Sequence, residues 1–406
     1  MFITIFSFNI KGYASDNVKA RIGNKFFDTL EEAIANASSK DTITLTGNVT
    51  LKDTLEINKT VNINLNNKTI EAEEQVFLVQ GGSLNLSGTG IIRETKPNYG
   101  AIMLKGSDDP DKKDYSTVSV GSDVTLEGWS GIFINHVNGK GYGILVNMNG
   151  TIKSVDDVNG GPGAGIYVNG NIQHESNSPV INLTKTTKIT STGNGIYAAG
   201  YATYNINGAY IEGVESGLGI KSGVFNILDG TILGTGPDKT PTSGNNNGIN
   251  PSGAAIQIES NPGYAGNIEL NIKKGTIKSL KSNVVYEYVI NNNGTSKVKG
   301  IDISGGAFTS DTKKDVFRLS DSLKTNHPSF ISGGVYSSNP TDYLEAGYSA
   351  TKNNNDMYEV TVSTINVFLE NDNNNSKFIW ITVIISLIIL GIVAFLNKNK
   401  ILNLFK

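Results

Sequence analysis

Several short segments of this chain are variants of one another: "AGIYVN" (Ala164 to Asn169), "SGIFIN", "YGILVN", "NGIYAAG", "SGLGIK" and "AAIQIE". Each is apolar at every second position, the pattern of a strand with one buried side. A chain that repeats one strand can bury those apolar sides by stacking the copies, and this narrows the choice of fold. The interval is 22 residues from Ile144 to Ile166 and again from Ile196 to Leu218. Several other intervals are 30 or 31, as loops inserted at turns would give. Only 12 residues separate Ile132 from Ile144, so those two strands are expected on different faces. A glycine series agrees: Gly208 and Gly230 are 22 apart, and Gly275 follows 45 later, about two windings on.

The expected fold class is therefore all-β, a solenoid of parallel strands. No leucine-rich repeat frame is present, and a regular return argues against hairpins in a sandwich. The inward pairs are read as Phe77/Val79, Ile102/Leu104, Ile132/Ile134, Ile144/Val146, Ile166/Val168, Ile196/Ala198, Leu218/Ile220, Ile256/Ile258, Tyr286/Tyr288 and Phe317/Leu319. The outward residues are then Leu78, Met103, Phe133, Leu145, Tyr167, Tyr197, Gly219, Gln257, Glu287 and Arg318, with Lys221 and Glu259 standing beside them. Asn135, Asn147 and Asn169 end equivalent strands and are placed to form an amide ladder. An open solenoid end needs a cover. "FDTLEEAIANAS" suits one, with Asp28 or Thr29 as cap and Leu30, Ala33, Ile34 and Ala37 as the apolar side.

Composition bounds the partners. The 406 residues carry a net charge of -3 and only 17% charged residues, which suggests neither nucleic acid nor an anionic surface as partner. Arg occurs only at positions 21, 93 and 318, poor material for forked recognition of phosphate or carboxylate. With no cysteine there is neither a disulfide framework nor a thiolate metal site.

The ends point to a membrane. Residues 378–396 hold no charge over 19 residues, about 28 Å as a helix, close to the thickness of a bilayer core. Trp380 stands near one edge, and Lys398, Lys400 and Lys406 follow, which places the tail 397–406 in the cytoplasm. Residues 363–377 read as an Asn-rich stalk, and residues 1–14 resemble the end of a secretory signal. Residues 20–40 are the expected N-terminal cap and 41–362 the solenoid, outside the cell.

The opening "RIGNKFFDTLEEAIANASSKDTITLTGNVTLKDTLEINKTVNINLNNKTI" resembles the start of pectin-lyase-like surface proteins of Gram-positive bacteria. The segment "FISGGVYSSNPTDYLEAGYSATKNNNDMYEV" is similar to a closing module of the same proteins. The resemblance covers roughly residues 20–362. It implies a right-handed, three-faced parallel β-helix, and a family that includes polysaccharide lyases and hydrolases beside adhesin-like members. Fold likeness does not choose among them.

No lyase or hydrolase motif is found. The carboxylates Glu259 and Glu287, with Arg318, are the candidate catalytic set, since glycan cleavage needs two placed acids. Phe133, Tyr167, Tyr197 and Gln257 are the candidate ligand-binding row, because aromatic faces suit sugar rings. Asp108, Asp109 and Asp111 in "GSDDPDKKD" could hold Ca²⁺, the one cofactor suggested; the alternative is a polar turn. Asp156 and Asp157 also read as a turn, and His136, His174 and His327 as solvated loop residues. Three functions stay open: non-catalytic adhesion or binding of extracellular glycan or host matrix, polysaccharide cleavage, and a passive surface spacer.

Overall fold

The computed structural model describes residues 18–136, 141–170, 176–241, 250–290 and 293–363. The chain divides into two units, Met1–Val362 and Ser363–Lys406. The first is mostly β-structure with long parallel sheets, compatible with a solenoid. The segments read as signal and membrane span lie outside the described residues, as does nearly all of the stalk. Among the described residues no helix is long and apolar enough to cross a membrane.

Each winding visits three stacks of strands in turn. The first stack has ten strands among the described residues, running in chain order from Leu55–Ile57 through Ile132–His136, Ala164–Gly170, Asn194–Ala198, Ser216–Ile220 and Ala254–Ser260 to Phe317–Arg318. Its register places Ile132 beside Ile166, Ile166 beside Ile196, Ile196 beside Leu218, and Leu218 beside Ile256. All five are fully buried, so the short alternating motif recurs to continue a single core from winding to winding. The glycine that opens the motif has a steric reason. A Cβ on Gly217 would meet the carbonyl oxygen of Ala255 at 2.6 Å and Ile232 Cγ2 at 2.7 Å.

The second stack includes Thr60–Asn64, Ser83–Ser87, Ser116–Val120, Ile144–Met148 and Val180–Leu183. The third includes Lys68–Ala72, Gly90–Glu94, Val124–Gly128, Thr151–Ser154 and Lys188–Ser191. The strands Thr203–Gly213 and Gly223–Gly234 each turn the corner between these two stacks. Gly230 makes that corner with φ 136°, a conformation that a side chain disfavours.

Three expectations need correction. Ile144 does not sit on Ile166; it pairs with Ser116 in the second stack, so Leu145 leaves the first face with it. The separation of Ile132 and Ile144 onto different faces does hold. Gly230 and Gly275 are one winding apart rather than two, since Thr231 pairs with Thr276 and the extra length goes into the insert after Gly234. In the strand Val285–Val289 the register is one residue off the expectation. Ile256 pairs with Val285, Gln257 with Tyr286 and Ile258 with Glu287, so Tyr286 and Tyr288 face outward and Glu287 inward.

Parallel pairing gives way to antiparallel pairing at both ends. Ala20–Ile22 pairs with Lys25–Phe27 and with Thr42–Leu45, and Tyr358–Val362 pairs with Gly334–Tyr336 and Tyr348–Lys352. The helix Leu30–Asn36 is N-capped by Thr29, whose Oγ1 accepts from the Glu32 amide at 3.1 Å. Its Leu30 and Ala33 join the core, and Ile34 packs against it.

Candidate functional site

On the outer side of the first face, the register lines up Phe133, Tyr167 and Tyr197, then Gly219, Gln257, Tyr286 and Arg318. Phe133 and Tyr167 stack at 5.1 Å with 6° between the rings, and Tyr167 and Tyr197 at 4.3 Å with 19°. The row is covered rather than open. Phe133 is 8% exposed and Tyr197 2%, while Tyr167 keeps partial exposure beside Trp129 at 4.9 Å. Tyr264, from the loop after Ser260, closes over Tyr197 with the two hydroxyls 3.4 Å apart. Burial pushes the Tyr197 hydroxyl far above its ordinary pKa and the Tyr264 hydroxyl up to about 12. A sugar needs a free ring face, which neither Phe133 nor Tyr197 offers.

Beside this row lies a buried ionic cluster. Lys221 Nζ is 3.0 Å from Glu259 Oε2, and the two side chains are 2% and 1% exposed. The same Oε2 accepts from the Tyr288 hydroxyl at 2.7 Å and from Asn250 Nδ2 at 2.9 Å. Glu259 Oε1 accepts from Asn261 Nδ2 at 2.9 Å. Lys221 Nζ also donates to the Tyr264 hydroxyl at 3.1 Å and lies 4.5 Å from that ring's centre and 5.1 Å from that of Tyr197. Burial pulls the Lys221 pKa down against the opposing pull of Glu259. Lys297 reaches the same place, donating to the carbonyls of Tyr264 at 2.5 Å and Lys221 at 3.2 Å. Burial lowers it to about 8, with the Glu259 charge opposing. Gln257 is 2% exposed and donates to the Asn250 carbonyl at 2.6 Å and the Tyr288 hydroxyl at 3.1 Å.

Glu259, Glu287 and Arg318 do not converge. Glu287 points to the other side of the sheet, where it accepts from Ser260 Oγ and from the Ser320 amide, both at 2.9 Å. Arg318 is exposed and lies over the Tyr286 ring at 4.3 Å. The acidic loop is built as a turn. Asp109 accepts from the Asp111 amide at 3.0 Å, while its own amide donates to Ser107 Oγ at 3.0 Å. Among the described residues no three His, Cys, Asp or Glu form a group that could hold a metal, Asp108, Asp109 and Asp111 included. Asp157 caps its own turn, accepting from the Asn159 amide at 2.7 Å and the Gly161 amide at 2.9 Å. His327 Nε2 lies 3.0 Å from the Val298 carbonyl oxygen, His174 falls outside the described residues, and His136 ends a strand of the first face.

The second face carries an amide ladder on its outer side. Asn182 Nδ2 donates to Asn147 Oδ1 at 2.9 Å, Asn205 to Asn182 at 2.9 Å, Asn226 to Asn205 at 3.0 Å and Asn271 to Asn226 at 3.0 Å. Nearer the start Asn85 donates to Asn62 at 2.9 Å, and Ser119 fills the register between Asn85 and Asn147. Of the three asparagines expected to stack, Asn147 belongs here, while Asn135 and Asn169 pair on the first face.

The sequence reading set Lys221 and Glu259 side by side but missed Asn250, Asn261, Tyr264 and Lys297. These come from loops and strand flanks, where no periodicity marks which residues fold back. No protein-family model, curated protein or solved structure matches the chain.

Proposed function

We propose that this is a right-handed parallel β-helix of the pectin-lyase-like kind, displayed outside the cell and held to the membrane by residues 378–396. It binds extracellular glycan without cleaving it, and it does so on the second face. The observation that carries this reading is the ladder from Asn147 to Asn271. Each inner carboxamide spends one N–H and one oxygen lone pair on its neighbours, and its remaining N–H and lone pair serve hydroxyl groups. The amides repeat at about the 4.8 Å strand spacing, an uncharged array suited to a hydroxyl-rich chain. The separation of Glu259 from Glu287 across the sheet supports binding over cleavage, because the two acids have no shared space for a glycosidic bond.

The test is a glycan array probed with the full chain, followed by the triple variant Asn182→Ala, Asn205→Ala, Asn226→Ala. A bound glycan whose affinity drops at least tenfold in the folded variant supports the reading, as three lost hydrogen bonds of about 1 kcal/mol each would produce. Unchanged affinity overturns the assignment to this face. Release of reducing or unsaturated sugars by the wild type would favour the enzyme. A folded protein that binds nothing would leave a spacer, a stack of ten windings roughly 45 Å tall.

A further inference from the structure

Lys221, Glu259 and Asn250 meet in a buried pocket walled by Tyr197, Tyr264 and Tyr288. Lys221 Nζ and Asn250 Nδ2 both bond to Glu259 Oε2, at 3.0 and 2.9 Å, so amine and carboxamide nitrogens are at most about 6 Å apart. Asn250 is 4% exposed, so water is largely excluded from the carboxamide. We propose that this triad is a site of self-modification, where Lys221 and Asn250 join in an amide cross-link with Glu259 as the proton carrier.

The step balances without a co-reactant. Glu259 takes one proton from the Lys221 ammonium. The neutral amine adds through its lone pair to Asn250 Cγ, and the carbonyl π pair moves onto Oδ1. The adduct nitrogen gives up a second proton to the Asn250 nitrogen, the oxygen pair re-forms the carbonyl, and the C–N bond to that nitrogen breaks with its electron pair. The departing ammonia takes the proton held by Glu259 and leaves as ammonium. One lysine ammonium and one carboxamide become one secondary amide and one ammonium ion, and the Glu259 carboxylate is restored. Burial favours the neutral amine that must attack, and the restored Glu259 carboxylate keeps its hydrogen bonds from the Tyr288 hydroxyl and Asn261 Nδ2.

Asn250 is chosen over Asn261 on geometry. Asn261 bonds to the other carboxylate oxygen, Oε1, and its own carbonyl accepts from the Gly263 amide at 2.9 Å. The link would join Asn250, just before the strand Ala254–Ser260, to Lys221, just after the strand Ser216–Ile220.

Intact mass and peptide mapping of the purified full chain decide the matter. The expected result is a mass lower than the sequence mass by one ammonia, with a branched peptide joining Lys221 to Asn250. Glu259→Gln should restore the ammonia, and so should Lys221→Arg. A folded wild type at full sequence mass overturns the proposal, whether or not either variant folds. So does an ammonia loss confined to one linear peptide, as a succinimide at an Asn-Gly step would give, and so does a branch at Asn261.

Discussion

Glu259 and Glu287 sit on adjacent strands of one sheet and point to opposite sides of it, because Ile258 is in register with Glu287 and Glu259 with Tyr288. One acid is held by a buried lysine and the other by a serine hydroxyl and a helix N-terminal amide. They stabilise different parts of the fold.

Breaking the buried pair is costly. Glu259→Gln or Lys221→Met each leaves a charge or donor buried beside Tyr264 and Tyr288, with a loss of about 3–5 kcal/mol. The double variant should lose less than the sum of the singles. A denaturant-unfolding cycle measures this, and additive losses would mean that the two groups do not act on each other.

Stability should depend on alkaline pH in two directions. Lys297 has its folded pKa lowered to about 8 from about 10.5, so between those values the unfolded chain holds more protons and stability rises with pH. Tyr197, Tyr204, Tyr264 and Tyr288 have raised values, so above about pH 10 the folded chain keeps protons that the unfolded chain has lost, and stability falls again. Urea midpoints from pH 7 to 11 should show the rise and the fall. Lys297→Met should flatten the rise; an equal rise in that variant would remove Lys297 as a source.

A smaller dependence belongs to the acid side. Burial pushes the Glu127 carboxyl up, but hydrogen bonds from Arg93 and Lys153 outweigh it, so its folded value lies below the usual range. The contribution is complete above the unfolded value and is lost as pH falls through the folded one. Solvent screens this partly exposed group, so Arg93→Gln should cost under about 1 kcal/mol at pH 7 and nothing once Glu127 is protonated. An equal cost at both pH values would assign Arg93 a packing role instead.

Gly217→Ala should destabilise by about 1–3 kcal/mol, since the added methyl meets a backbone carbonyl at 2.6 Å and backbone yields little. Gly23→Ala, where a Cβ would meet nothing within 4 Å but φ is 55°, should cost less, about 1 kcal/mol. Thermal unfolding of the two variants orders them, and the reverse order would contradict the packing account.

The strand motif was legible because alternation is a local property of extended backbone. Ile132, Ile166, Ile196, Leu218 and Ile256 needed only their neighbours in sequence to be read as inward, and all are buried. The same reading failed where the neighbours were misleading. In "VVYEYVI" the set Val284, Tyr286, Tyr288 and Ile290 is wholly apolar while the other holds Glu287, so alternation favours the parity that pairing with the strand Ala254–Ser260 then reverses. Leu145 shows the parallel case between faces, since "YGILVN" copies the first-face motif while its partners Thr117 and Val180 lie in the second stack.

By itself, then, the sequence determined that short strands recur at a near-regular interval and, where only one parity is apolar and it holds no acid, which side chains point into the core, since a two-residue period is written along the backbone. The tertiary structure alone decided which winding meets which and which loops return over the outer rows. Those choices depend on insert lengths and on contacts between residues far apart in the chain: Tyr264 over Tyr197, Asn250 on Glu259 and Lys297 against Lys221 have no common period to announce them.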